Sequence, residues 1–297
     1  MKCYHMSSFD GFPLYVREWS EASEPRGLIL VLHDVAEHSG RYQEFCSALT
    51  LDGYLVVAFD LRAFGASSRP EALGEGESDV FDLSVKDVVY MYRHFTKKYD
   101  CPAYLMGTGY GGYLAMAALE TKRIVPKGVL LCGVGKLPSG RLKWLRLLSR
   151  GGLAKHRPKL IHHIVVKAVS PKSGGSVLTR DTDHADRYKQ DPLCGVLPTL
   201  GFDRSMLEGL IKLQHKRNMR DLPDVPYALF AGTDDRTLGK DGKLSLELLV
   251  ELRRLKKKVR YFGYEDARHN LAHETVRARY LEHVTTFLHT TDEPLPF

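Results

Sequence analysis

The sequence predicts an α/β fold in which a mainly parallel, doubly wound sheet carries helices on both faces and one helical insertion. Three observations predict it. Strand-like runs alternate with helical stretches along most of the 297 residues. Runs such as LILVLH and YLVVAFD are apolar throughout, as strands buried on both sides require. Between about Lys136 and Pro223 the alternation stops, and that span has helical patterning but no convincing strand.

Taken in order, strands are expected near Leu14–Trp19, Gly27–His33, Tyr54–Asp60, Ala103–Gly107, Gly128–Cys132, Tyr227–Gly232 and Val259–Tyr264. Helices are expected near Gly40–Asp52, Asp79–Tyr99, Tyr110–Thr121, Lys243–Lys256 and Glu274–Leu288. Asp79 is placed to cap its helix, with Asp82 and Asp87 in the following turns. Two strong strands flank the break, so it reads as a helical cap rising from the sheet. This gives a core of residues 1–135 and 223–297 and a cap of residues 136–222.

Bulk properties exclude several classes. The chain is long enough for one large core, and its 43% apolar and 27% charged composition is that of a soluble globular protein. No signal-peptide core and no membrane-length apolar run occurs. The five cysteines, Cys3, Cys46, Cys101, Cys132 and Cys194, are scattered, so reduced thiols and a cytoplasmic location are expected. The net charge is +7, yet residues 136–172 alone hold ten Lys/Arg and no Asp/Glu, so the basic character belongs to one segment. That run lacks a nucleic-acid-binding module, and its histidines, His156, His162 and His163, have no acidic ligand near them in sequence. Neither nucleic acid, a metal nor a cofactor is expected.

The stretch YLMGTGYGGYLAMAALE admits two readings. Gly107, Gly109 and Gly112 spell the G-x-G-x-x-G dinucleotide fingerprint after a strand and before a helix. That fingerprint belongs in the first βαβ unit, however, and about three strands precede this one. It also needs an acidic residue about 20 positions on, and none occurs between Glu120 and Asp181. The second reading is a nucleophile elbow, G-x-S-x-G, with Gly109 in place of serine. An acid and a base should then follow in that order. AGTDDR follows one strand and offers Asp234 and Asp235; YEDARHNLAHE follows the next and offers His269.

These motifs, with SSFDGFPLYVREW, LHDVAEHSGRYQEF, AFDLRAFGASS and LTRDTDHADRYKQDPLC, resemble the monoacylglycerol lipase/lysophospholipase group of α/β-hydrolases, also catalogued with the serine aminopeptidases. The resemblance covers most of the chain, and EHSGRY is its most specific part. It implies an α/β-hydrolase fold and ancestral hydrolysis of a carboxylic ester, such as an acylglycerol or lysophospholipid, with a small acyl ligand in the cleft. Carried over by position, the base is His269, the acid Asp235 (with Asp234 the weaker choice), the nucleophile position Gly109, and the oxyanion donors the backbone N–H groups of Val35 and Tyr110.

Two departures fall on the chemistry. Gly109 has no hydroxyl, and losing such a serine costs about 10⁶-fold in turnover in a comparable hydrolase. Glycine also relaxes the elbow backbone, which costs a residue with a side chain about 1–3 kcal/mol. A deliberate knockout is the alternative reading of a lone glycine, though alanine is the commoner choice for one; the second departure weighs further against a knockout alone. The oxyanion loop reads His33-Asp34 where the family has histidine-glycine. A carboxylate about 5 Å from a developing oxyanion opposes it by about 3 kcal/mol at an effective dielectric of about 20. Asp34 either exerts that repulsion, turns outward, or serves as a new acid or base. Thr108, Tyr110 and Cys132 are poor substitutes for the serine.

Three functions are therefore carried forward. The first is a pseudo-hydrolase that keeps the cleft. The second is a weak hydrolase in which His269 and Asp235 activate a water held in the space at Gly109. The third is a non-enzymatic protein that meets an anionic membrane or a partner through residues 136–172. For this last reading, a helical wheel of RLKWLRLLSR groups Trp144, Leu145, Leu147 and Leu148 against Lys143, Arg146, Ser149 and Arg150, with Arg141 and Leu142 out of place.

Overall fold

The computed structural model describes residues 1–21, 24–148 and 175–291. Eight strands form one sheet: β1 (Lys2–Ser7), β2 (Pro13–Trp19), β3 (Gly27–Leu32), β4 (Tyr54–Phe59), β5 (Ala103–Thr108), β6 (Gly128–Cys132), β7 (Tyr227–Gly232) and β8 (Val259–Tyr264). Their spatial order is β1-β2-β4-β3-β5-β6-β7-β8. β1 and β2 pair antiparallel, β2 pairs antiparallel with β4, and all other pairings are parallel. Every residue of β3, β4, β5, β6 and β7 is buried, as the unbroken apolar runs required. Each fully buried Leu, Ile, Val or Phe in them contributes about 1.5–3 kcal/mol.

Helices α1 (Gln43–Leu51), α2 (Val80–Tyr99), α3 (Tyr110–Glu120), α9 (Lys243–Arg254) and α10 (Arg277–Thr290) alternate with the strands as the patterning foresaw. Three details differ. β1 has alternating partial exposure and no apolar run, so only its pairing with β2 reveals it. Asp79 holds the N-cap position of α2 but its side chain makes no capping bond. The last helix starts at Arg277, because Leu271–His273 forms a separate 3₁₀ turn ahead of it.

Between β6 and β7 the described residues form α4 (Ser139–Leu148), α5 (Gly175–Leu178), α6 (Thr182–Gln190), α7 (Leu200–Leu213) and α8 (Lys216–Arg220), with no strand among them. α7 is not a detached lid. Its Phe202, Met206, Leu207 and Leu210 join the apolar cluster of α2 and α3, and the Phe202 ring lies 5.4 Å from that of Tyr110. α4 corrects the helical wheel. Leu142 and Leu145, three apart, are buried, whereas Trp144 and Leu147 are 54% and 60% exposed. The inward stripe thus runs through a leucine the wheel set aside. Ser149, Arg150, His156, His162, His163 and most of the basic run lie outside the described residues. Among the described residues no helix is long and apolar enough to cross a membrane.

Candidate active site

Four loops at the carboxyl ends of parallel strands build the site, where an open α/β sheet gathers its chemistry. The β5–α3 turn supplies Gly109, the loop after β3 supplies Asp34, and the loops after β7 and β8 supply Asp235 and His269.

Gly109 holds the sharp elbow backbone, φ 51° and ψ −117°, and its N–H donates to the Cys132 carbonyl at 2.9 Å. The positive φ favours glycine. The crowded run after it has a packing cause: a Cβ on Gly111 would stand 2.4 Å from the His33 carbonyl oxygen. The glycines thus serve close contact between α3 and the strand ends.

His269 and Asp235 meet as expected, with Nδ1 2.7 Å from Asp235 Oδ2, and both are buried. Thr237 donates its N–H and hydroxyl to Asp235 Oδ1, at 2.9 and 2.7 Å, and fixes that carboxylate. Asp234 points elsewhere. It is 40% exposed and pairs with Arg268 at 3.4 Å and Arg180 at 3.6 Å.

The other face of His269 meets Asp34. Nε2 lies 3.0 Å from Asp34 Oδ2, and Asp34 Oδ1 accepts the Tyr110 N–H at 2.7 Å. A Cβ built on Gly109 would lie 2.3 Å from the same Oδ1. The Asp34 carboxylate therefore stands where a serine side chain would project. One of its oxygens takes the hydrogen bond to His269, and the other takes the Tyr110 N–H. Asp34 points inward, which excludes the outward orientation, and it fills the space at Gly109 that was expected to hold water.

The loop that aims Asp34 is over-determined. Its N–H donates to Glu37 Oε1 at 2.9 Å, and its carbonyl lies 2.6 Å from His33 Nδ1. His33 Nε2 accepts the Leu61 N–H at 2.8 Å, so Nδ1 carries the proton and donates it. Glu37 also accepts from the Tyr42 hydroxyl at 2.6 Å and from Asn270 Nδ2 at 3.3 Å, tying this loop to the residue beside His269. In the sequence Glu37 stands out only as the first letter of EHSGRY; its burial beside Tyr42 and Asn270 is set by the tertiary structure. Val35 follows Asp34, buried, in the same loop.

Burial by itself pushes the His269 imidazole down, but the Asp235 and Asp34 carboxylates override it and hold its pKa well above 6.5. Each ring nitrogen faces a carboxylate oxygen, at 2.7 and 3.0 Å, an arrangement that stabilises the doubly protonated imidazolium. Burial holds neighbouring His33 below its ordinary range.

Among the described residues, the three side chains nearest in role, Thr108, Tyr110 and Cys132, are not placed as a nucleophile. Thr108 ends β5, buried. The Tyr110 ring leaves the site and packs on Phe81 and Phe202. Burial pushes the Cys132 thiol up to about 11, and its sulfur faces the His269 carbonyl at 3.9 Å, away from the imidazole. A second polar cluster, His38, Asp191 and Cys194, has donor atoms within 4.8 Å of one another. It does not suit a metal. His38 Nδ1 accepts the Gly40 N–H, which puts the proton on Nε2, and Nε2 is bonded to Asp191 Oδ2 at 2.8 Å.

Comparison with known proteins agrees with this architecture. The family model described as serine aminopeptidase, S33, matches residues 23–276. The monoglyceride lipase of Mus musculus is 29% identical over 275 residues, covering 91% of this chain and 84% of that protein. Among solved structures, a lipase in its open form superposes with TM-score 0.86 at 19% identity, covering 99% of both chains. A soluble variant of the Saccharomyces cerevisiae monoglyceride lipase, in complex with a substrate analogue, gives 0.75 at 18%, covering 98% of this chain and 94% of that one. The family match, the sheet order and the sequence of elbow, acid and base along the chain lead to one conclusion: this chain belongs to the serine aminopeptidase S33 family of α/β-hydrolases and is of monoglyceride lipase type, with ester-hydrolase ancestry.

Proposed function

We propose that this protein is a pseudo-hydrolase of the monoglyceride lipase type whose site is occupied by its own carboxylate. Asp235 and His269 are the inherited acid and base, Gly109 the vacated nucleophile position, and the N–H groups of Val35 and Tyr110 the inherited oxyanion donors. The single observation that carries this reading is the double engagement of Asp34, on His269 Nε2 at 3.0 Å and on the Tyr110 N–H at 2.7 Å.

The chemistry follows. An acyl-enzyme needs an oxygen at the elbow, a neutral imidazole to take its proton, and a free N–H for the tetrahedral oxyanion. Gly109 lacks the first. Asp34 holds His269 protonated and so removes the second. It also occupies the third with a negative charge. A water-based route through His269 meets the same obstacles, because a protonated imidazole is no general base. In this reading the helices between β6 and β7 are the cap of the ancestral fold, and the cleft beneath them is where its small acyl or ester ligand would lie.

The test is a fluorophosphonate probe combined with monoacylglycerol turnover. The native chain and Gly109→Ser alone are expected to stay unlabelled and inactive, while Asp34→Gly with Gly109→Ser gains both labelling and turnover. Labelling of the native chain, or full activity of Gly109→Ser alone, overturns the reading.

Exposed Trp144 and Leu147, at the head of the basic run, favour a second role: adsorption to an anionic bilayer through residues 136–172. Sedimentation with phosphatidylglycerol vesicles, lost when Trp144 is changed to Ala or Arg146 and Arg150 to Gln, would support it. Equal sedimentation of these variants would remove it.

A further inference from the structure

A groove of about 750 Å³ runs along the outer face of α2, and none of its lining residues belongs to the candidate site. Its floor is apolar: Val85 and Val89 are almost fully buried, and Phe9 closes one end from the β1–β2 turn. Its rim is cationic. Lys86, Arg93 and Lys97 recur along one stripe of α2, and Arg123 faces them from the segment after α3. Eleven residues separate Lys86 from Lys97, which spans about 16 Å of helix. All four are exposed, and none has a carboxylate partner among the described residues. Lys86 Nζ instead rests 5.6 Å from the Phe9 ring centroid.

The lining residues include no Asp or Glu. The adjoining hollow, which shares Lys86 and Arg123, is different: Asp82, Glu120 and Asp221 line it, so the stretch that attracts anions ends there. A cationic helix face is often only a solvated surface. Here the cations surround a concave apolar floor of a size that holds a small molecule. Clustered unpaired cations raise the potential over such a floor.

We propose that this groove binds a single-chain anionic amphiphile, a long-chain fatty acid anion, with its chain on Val85, Val89 and Phe9 and its carboxylate among Arg93, Lys97 and Arg123. This site is separate from the Asp34–His269 centre and does not depend on whether that centre is active.

The test uses oleate, with a diazirine-bearing palmitate to map the site. Photolabelling is expected on peptides spanning residues 85–97. Oleate affinity by calorimetry is expected to fall about tenfold or more in Arg93→Gln/Lys97→Gln/Arg123→Gln, as three weak, exposed charge contacts would give together. It should stay unchanged in His269→Ala, and uncharged oleyl alcohol should bind at least tenfold more weakly than oleate. The three cation substitutions sit on an exposed face, and thermal melts establish that all the variants fold. Labelling confined to other peptides, equal oleate affinity of the triple variant, or equal binding of oleyl alcohol would each overturn the proposal. So would vesicle binding lost in the triple variant while oleate affinity holds, since the cations would then read a bilayer surface.

Discussion

Asp34 and His269 are 235 residues apart in the chain, and their side chains meet at 3.0 Å in a buried site. A serine on Gly109 would have to occupy the same space as that carboxylate, so the two family departures are one structural event. Gly109→Ser alone is therefore expected to lower stability by about 1–3 kcal/mol through overpacking. Adding Asp34→Gly should recover part of that loss. Urea denaturation of the two single variants and the double variant measures the coupling, and strict additivity would show that the side chains do not compete.

Stability should depend on pH from both sides. His269 is raised in the folded state, so its contribution is fully present below about pH 6.5, the unfolded value, and is lost as pH rises through the folded pKa. His33 and His273 are depressed by burial, so their contribution is present above about pH 6.5 and is lost as pH falls. The urea midpoint should thus decline on both sides of that region, with Asp34→Asn flattening the alkaline limb. An alkaline limb identical in Asp34→Asn would count against the ion pair.

The imidazolium itself is observable. In the native chain the His269 ring proton should titrate well above the ordinary histidine range by NMR, and Asp34→Asn should bring it down. A ring that titrates near pH 6.5 in both proteins would mean that Asp34 does not hold the charge.

Asp60 is expected to matter for stability more than its place in a motif suggests. Its Oδ1 accepts from Arg17 at 2.8 Å and from the Ser39 N–H at 2.9 Å, and its Oδ2 accepts from the Ala66 N–H at 2.7 Å. Asp60→Ala removes the only carboxylate paired with Arg17 among the described residues and leaves the Ser39 and Ala66 N–H groups without their acceptor. It should cost about 3–5 kcal/mol in chemical denaturation. A loss under about 1 kcal/mol would mean that water replaces these bonds.

Added zinc should leave the melting temperature unchanged, because the His38 tautomer bonded to Gly40 and Asp191 presents no lone pair to a metal. A zinc-dependent rise that disappears in Cys194→Ser would reverse that conclusion.

Much of this molecule was legible in its letters, for local reasons. Apolar runs marked the buried strands, because a strand covered on both faces cannot alternate. The order of Gly109, Asp235 and His269 marked the candidate site, because the elbow, acid and base positions of the family pattern each follow a parallel strand of one sheet. β1 escaped because a half-exposed edge strand carries no apolar signature. The inward stripe of α4 escaped because a wheel sorts residues without knowing where the neighbouring helix lies. The sequence by itself determined the fold, the family and the missing hydroxyl. Only the tertiary structure decided that Asp34 turns inward, since its direction depends on His33, Glu37, Asn270 and the Tyr110 N–H, four groups from three separate parts of the chain. A carboxylate's orientation is fixed by the donors that surround it, and those donors become neighbours only once the sheet has assembled.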